Sequence, residues 1–393
     1  MQLLEGYFQD LFDPKDILHN WRKKAWDRFQ EIGLPRSRQE AFQYVQLKHI
    51  LFPKPAERPE IKEIPSSEGL YFIDGYFQKA RLPSPLVCLP LDEAMRTYGI
   101  FLQNRLTRTL KEEADPFAAL NGALQGQGAF LYVPPHCHVK DPIEIHHLLS
   151  SSKTASPRLH VYLNKGSSIT FLQNTQSESH GFCNALIDVA LDEGAELNFQ
   201  ETQTFKSSCT YFQTLRATLK RDAKLKTLSF SQGAELARSS IQVQLLEENS
   251  EAELQGLSHL RDSLQNHTHI VVEHIAPHCR SRQHFKNILE DKSKSSFQGK
   301  ILVRSTAQKT ESYQLNNNLL LSDEASANSK PNLEIFADDV KASHGATITQ
   351  LNPEEIFYLR SRGLTQNEAE NWLIHGFSHE LIDQAHPLIQ KRI

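Results

Sequence analysis

Apolar positions along the chain recur at two different periods, and the switch between them divides it into parts. Trp21, Ala25, Phe29 and Ile32 fall at spacings of four, four and three, which places them on one helical face. Gly33-Leu34-Pro35 ends that helix, and a second helical stretch is predicted from Ser37 through Ala41, Tyr44 and Leu47. The segment PKPAERPEIKEIPS at 53–66 reads as a linker, and 69–115 as short strand-like pieces between polar stretches.

Further along, the period drops to two and the alternation itself repeats. Leucines at 163, 191, 219 and 246 stand 28, 28 and 27 residues apart; the first three close the strand-like segments RLHVYL, NALIDVAL and QTLRATL, and the fourth directly follows SSIQVQL. After each comes a residue that tolerates positive φ (Gly166, Gly194, Asp222, Asn249) and then a second alternating segment: SITFL, ELNFQ, KLKTL, AELQGL. A fixed period of this length means stacked units, each burying its face against the next. With no helical pattern between the strands, the prediction is a β-solenoid, with an antiparallel meander of hairpins as the alternative. Asn316-Asn317-Asn318 fits either a side-chain ladder between stacked coils or one exposed loop.

The last 40 residues return to helix. Asn352-Pro353-Glu354-Glu355 offers an N-cap, a Pro at the first helical position and a capping-box Glu, and Gly363 ends the helix. Thr365-Gln366-Asn367-Glu368 is a second capping box. A hairpin this short cannot hold its own core, so it is expected to pack on the solenoid end or on a partner.

Composition narrows the function. Lys and Arg total 43 against 47 Asp and Glu, a net charge of −4, which argues against a nucleic-acid binder. No run approaches the ~18 apolar residues of a membrane helix, and the N-terminus carries no basic-then-apolar leader, so a cytoplasmic location is expected. The five cysteines are widely spread without a CxxC and are expected to be reduced thiols. There is no phosphate-binding loop, dinucleotide fingerprint, nucleophile elbow or HExxH.

Histidine is the one chemistry-bearing residue in excess, at 18. His136 and His138 flank Cys137, and alternation would put both on one side of an extended chain. His267 and His269 share a strand face, followed by His274, His278 and Cys279. Imidazole with thiolate suits zinc or iron, whereas solvent-facing strand histidines need no metal. His146-His147 faces both ways and makes a poor ligand pair. His344, beside Gly345, is expected in a junction loop between the last strand and the C-terminal helices, where functional groups concentrate.

Several segments carry a family resemblance. LEIFADDVKASHGATITQLNPEEIFYLRSRGLTQNEAENWLIHGF resembles the C-terminal signature of the SufB/SufD family of iron–sulfur cluster assembly proteins. AQKTESYQLNNNLLLSDEA fits the same family, as does HIVVEHIAPHCRSRQHFKNIL with its His274, Pro277, Ser281 and Gln283 pattern. GLPRSRQEAFQYVQL and DPFAALNGAL, at 115–124, match it near the start. The segment SDEASANSKPNLE lacks the cysteine of the SufB branch, and the later motif reads His344-Gly345-Ala346-Thr347, so both resemble the SufD branch. Where many relatives carry a cysteine two residues before the histidine, this chain has Ala342, so that cysteine is not required here.

The resemblance implies a right-handed parallel β-helix flanked by helical N- and C-terminal parts, divided at 1–66, 67–345 and 346–393. It implies a non-catalytic scaffold subunit that pairs with SufB through the solenoid ends. The ATPase SufC would dock on the C-terminal helices, at Ile356, Phe357, Leu359, Trp372, Leu373 and Phe377. His344 would face the site of the nascent iron–sulfur cluster and serve as an iron ligand. The isolated chain is expected to hold no cofactor; since a solenoid end is an exposed strand edge, a homodimer in the absence of partners is left open. ATP would act through SufC, and a reduced flavin in the complex is left open. The rivals are a purely architectural partner with an inert His344, a polysaccharide-cleaving β-helix enzyme, and a metal store at His136/His138 or His267/His269.

Overall fold

A computed structural model of the chain describes all residues except Met1, Phe12, Pro14, 37–38, Gln46, 48–49, Leu51, 60–67 and 206–208, together with the side chain of Phe101. Ser37 and the end of the expected linker therefore lie outside the described residues.

Two long sheets run side by side along the molecule. The first is built from Tyr76–Arg81, Gly69–Ile73, Ile143–Leu149, Ser168–Ser177, Glu196–Phe205, Lys224–Ser231, Glu251–Leu260, Arg280–Leu289, Thr310–Leu320 and Val340–Gln350. The second starts at Ser326–Ile335 and passes through Lys294–Val303, Gln265–His274, Leu236–Leu245, Thr210–Leu219, Phe182–Leu191, Arg158–Leu163 and Ala129–Val133 to Val87–Pro90. From residue 143 onward successive strands alternate between the sheets, and neighbours within each sheet pair in parallel. This is a β-solenoid of about eight turns, and the parallel pairing overturns the hairpin meander.

The repeat has a structural cause. Leu163, Leu191, Leu219 and Leu245 stand in register, one above another, inside the apolar core. The fourth rung residue is thus Leu245 and not Leu246. The corner before Asn249 is one residue longer than the one before Asp222, so the strand end slips while the turn stays aligned. His136, Gly166, Gly194, Asp222, Asn249, His278 and Lys309 all adopt φ between 57° and 65°. In most of them the backbone N–H donates to a carbonyl of the next rung: Gly166 to Glu193, Gly194 to Arg221, Asp222 to Glu248, His278 to Gln308. The ladder of hydrogen bonds therefore continues around the corner, where a left-handed residue is needed to aim the donor along the stack. The asparagine run is a ladder: Asn287 donates to Asn318 at 2.8 Å, and Asn318 donates to Asn316 at 2.8 Å and to the Thr347 carbonyl at 2.9 Å.

The two ends differ. At the N-terminal end each sheet finishes in an antiparallel strand, Tyr76–Arg81 and Val87–Pro90. At the other end, among the described residues, nothing pairs with the outer edges of Ser326–Ile335 and Val340–Gln350.

Helices clothe the outside. The predicted first helix is α2 (His19–Ile32), following α1 (Gln2–Asp10), and Gly33 ends it with φ 71°. The stretch after 37 is not a second α-helix; among the described residues Glu40–Phe42 is a 3-10 turn lying on the second sheet. Part of the expected linker is also ordered, since Ala56 N–H donates to the Thr154 carbonyl and Thr154 N–H to that of Lys54. The region 69–115 contains two helices besides its strands: α3 (Leu91–Thr97) and α4 (Gly99–Glu112). Leu102, Leu106 and Leu110, four residues apart, were the signal for the second. DPFAALNGAL forms α5 (Pro116–Leu124), whose every residue is buried.

The last strand runs to Gln350, past the 345 boundary expected from the sequence. Then come α6 (Pro353–Ser361), α7 (Gln366–Ile382) and α8 (Pro387–Gln390). Asn352 caps α6, and Thr365 with Glu368 forms the full capping box of α7. The C-terminal segment does not cover the solenoid end. It lies along the flank, packing Leu381, Ala385 and Ile389 on Leu172, Leu228, Phe230, Leu257 and Ile288 of the first sheet. No helix among the described residues is long and apolar enough to cross a membrane.

Candidate functional site

The open end of the solenoid gathers the residues that resemblance singled out. His344 lies within the strand Val340–Gln350, not in a junction loop. It pairs in register with Gln314, and below it in the same column come Gln283, Leu254, Thr227 and Phe199. Phe199 and Leu254 belong to the internal core, so this column faces the lumen. His344 is its last member and is exposed because nothing stacks above it. Beneath it Gln314 donates to Gln283 at 2.6 Å, both side chains being buried.

The segment with His274 and Ser281 wraps one corner of the lumen. His274 Nε2 lies 2.8 Å from Ser281 Oγ, which lies 2.7 Å from Ser312 Oγ. Ser312 in turn stacks under Ala342, two residues from His344. Burial holds His274 at about 4, well below an ordinary histidine, so it is a neutral hydrogen-bonding group at physiological pH. Gln314, Gln283 and Ser312, lining the floor beneath His344, do not stand out in the sequence as a unit; the separations of 31 and 30 residues along their columns are the available signal.

Around the mouth, apolar side chains face solvent: Phe336 is 62% exposed and Ile348 49%, with Tyr313, Leu315 and Ile335 partly exposed. Pro331 interrupts the donors of the Ser326–Ile335 edge, whereas the edge bearing His344 contains no proline. Unpaired strand edges flanked by apolar groups are templates for another chain.

A second exposed surface lies on the C-terminal helices. Phe357 is 73% exposed, Trp372 65% and Tyr358 56%, and α6 buries no residue. Ile356, Leu359 and Leu373 are half-buried beside them. Phe377 belongs to the opposite face: it packs with the flank cluster, its carbonyl accepts from Lys286 at 2.9 Å, and the Lys286 ammonium stands 5.4 Å from its ring. It anchors α7 to the solenoid and is not part of the free surface.

His136, His138 and His267 are held by contacts within the fold. His136 occupies a left-handed turn, so it does not share an extended face with His138, and its ring sits over Gly166. His138 bonds Ser168 at 2.9 Å. His267 uses both ring nitrogens, on Ser296 at 2.7 Å and Gln265 at 3.2 Å. Burial, with Arg238 nearby, holds both His267 and His269 near 4. Among the described residues no group of three His, Cys, Asp or Glu is placed to hold a metal ion, His344 included. The five cysteines are free, and burial pushes Cys88 and Cys209 up to about 12.

Comparison with known proteins places the chain in a family. Residues 146–377 match the model of the SUF system FeS cluster assembly, SufBD core domain, and 68–145 match the SufBD protein N-terminal region. The chain belongs to the SufBD family. An iron–sulfur cluster assembly SufBD family protein of Synechocystis is 30% identical over 401 residues, covering 94% of this chain and 87% of the relative. The iron–sulfur cluster assembly protein SufD of Escherichia coli is 34% identical over 232 residues, 58% of this chain and 55% of that protein. The chloroplastic protein ABCI7 of Arabidopsis thaliana is 29% identical over 300 residues, 72% and 62% of the two chains. SufBD membership gives this chain a role in iron–sulfur cluster assembly.

Proposed function

We propose that this SufBD protein is a SufD-type scaffold subunit, without catalytic activity of its own, working in the cytosol. Its open solenoid end pairs with SufB, and the free face of α6 and α7 docks the SufC ATPase. His344 meets the nascent iron–sulfur cluster at the SufB interface. The observation that carries the reading is the position of His344: the last, exposed member of a lumen column, on an unpaired strand edge ringed by apolar side chains. Among the described residues His344 belongs to no group of three His, Cys, Asp or Glu placed to hold a metal ion. A metal or cluster at this point takes its other ligands from the partner, which makes the site labile and transferable. The cysteine-free segment 322–334 and His344-Gly345-Ala346-Thr347 support the SufD branch.

On this reading, ATP energy enters through SufC, since the chain carries no phosphate-binding loop. Without partners, two copies cover each other's open ends as a homodimer. The rival reading keeps the geometry but leaves His344 inert. Co-expression with SufB and SufC, wild type beside His344→Ala, separates the two by scoring complex recovery and iron–sulfur absorbance together. Intact complex with little cluster in the variant supports the proposal. Equal loading makes the chain purely architectural, and no complex in either case refutes the partner assignment.

A further inference from the structure

The solenoid interior is not uniformly apolar. Register places His147, Thr175, Gln203, Ser231, Ser258 and Asn287 in a single buried column where the strands of the first sheet end. The adjacent column holds Gln173, Glu201, Ser229, Gly256 and Phe285. Glu201 is buried, and its carboxylate accepts from Gln213 Nε2 at 2.9 and 3.1 Å and from Gln173 Nε2 at 3.3 Å. Burial pushes this carboxyl up, and the groups that oppose the shift are the neutral amides of Gln213 and Gln203, not a cation.

A cavity of about 30 Å³ adjoins Glu201. Its walls include the side chains of Thr227 and Asn266, each 6% exposed. Thr227 Oγ1 and Asn266 Oδ1 have no hydrogen-bond partner among the described residues. Toward the mouth, the Phe285 ring lies over Gly256, so close that a Cβ there would stand 2.6 Å from it. A cavity needs roughly 10–15 Å³ and two to four polar partners to hold one water. Orphaned buried hydroxyls and amide oxygens are costly in a dry site.

We propose that this cavity is an internal hydration site, holding one or two bound waters that bridge Glu201 to Thr227 and Asn266. The waters satisfy the orphaned oxygens and solvate a carboxyl that has no counter-charge. The site is independent of the partner-binding reading above.

Near-isosteric substitution gives a test whose sign decides. In a hydrated site, Thr227→Val removes a water's partner, and the Tm of the full chain falls by about 1–3 °C. In a dry site the same change deletes an unsatisfied hydroxyl, and the Tm stays level or rises, which overturns the proposal. A crystal structure of the wild-type chain supplies the variant-free check. Water density within hydrogen-bonding distance of Glu201 supports the site, and an empty cavity that takes up xenon overturns it.

Discussion

Replacing Asp188 with asparagine tests whether the outer helices are fastened to the solenoid by buried charge. Asp188 is 3% exposed on the outer side of the strand Phe182–Leu191. It accepts from Arg216 Nε at 3.0 Å and Nη2 at 2.9 Å, and from Arg158 Nη2 at 3.2 Å, with His160 Nδ1 at 3.5 Å. Arg216 also pairs with Glu113, which precedes α5, and Arg158 donates to Asn121 within it at 3.0 Å. Burial pushes the Asp188 carboxyl up, but Arg216, His160, Arg158 and Arg105 more than reverse this and hold it well below the usual range. Burial draws Arg158 down to about 9, still charged at neutral pH.

Asparagine keeps the shape and one acceptor oxygen but leaves Arg158 without an anion and Arg216 with Glu113 alone. Removing one partner from a buried pair costs about 3–5 kcal/mol. The surviving acceptor and Glu113 put this case at the lower end, about 3 kcal/mol, against a total stability on the order of 5–15 kcal/mol. Urea unfolding followed by circular dichroism should show an earlier midpoint at an unchanged slope. A loss below about 1 kcal/mol would refute the reasoning, because it would mean that the arginines find compensation the geometry does not provide.

Acid should destabilise the chain in a defined window. His267, His269 and His274 are held near 4 and His147 near 3, all below the 6.5 of a free imidazole. The unfolded chain thus binds more protons than the native one below pH 6.5, and stability falls from there toward pH 4, by a few kcal/mol per histidine at full titration. The depressed Asp188 acts in the same direction at lower pH; a flat stability profile between pH 6.5 and 4 would contradict the burial of these rings. At the corners, Gly194→Ala meets nothing closer than 3.9 Å and should cost about 1 kcal/mol for its φ of 65°. Gly166→Ala should cost more in the same unfolding assay, since its Cβ would lie 2.7 Å from His136 Nδ1. Phe357→Ser with Trp372→Ser should leave the melting curve of the isolated chain within about 0.5 kcal/mol, yet abolish SufC recovery in a pull-down. Retained SufC would move docking away from this face.

The rungs were legible because every rung repeats one environment: Leu163, Leu191 and Leu219 meet the same lumen, so the same residue type recurs. Legibility failed where the environment changes. The slip to Leu245 comes from one added corner residue that leaves the turn pattern intact. The stretch after 37 followed a helical period but lies as a turn under Gln298, whose amide donates to the Glu40 carbonyl at 2.8 Å. His344 looked like a loop residue because its strand is exposed on the outer rung and carries little apolar alternation. Phe377 and Trp372 share a helix and a residue class; only the fold of α7 onto Lys286 and Ile288 assigns one to the flank and the other to solvent. The lumen columns under His344 link residues about 30 apart, a separation that local pattern does not reach.

The difference between the two solenoid ends gives the molecule a direction of wear. Each rung is held chiefly by the rung on either side, so cohesion is passed along a one-dimensional stack. At the N-terminal end each sheet finishes in a short antiparallel strand, whereas at the other end the long parallel strand Val340–Gln350 has, among the described residues, a neighbour on one side only. Heat or mechanical load should therefore peel the chain from that last strand inward, and amide exchange should slow rung by rung away from it. A strand laid against the free edge would act as a clasp, so that the protein is mechanically finished only when something is bound there.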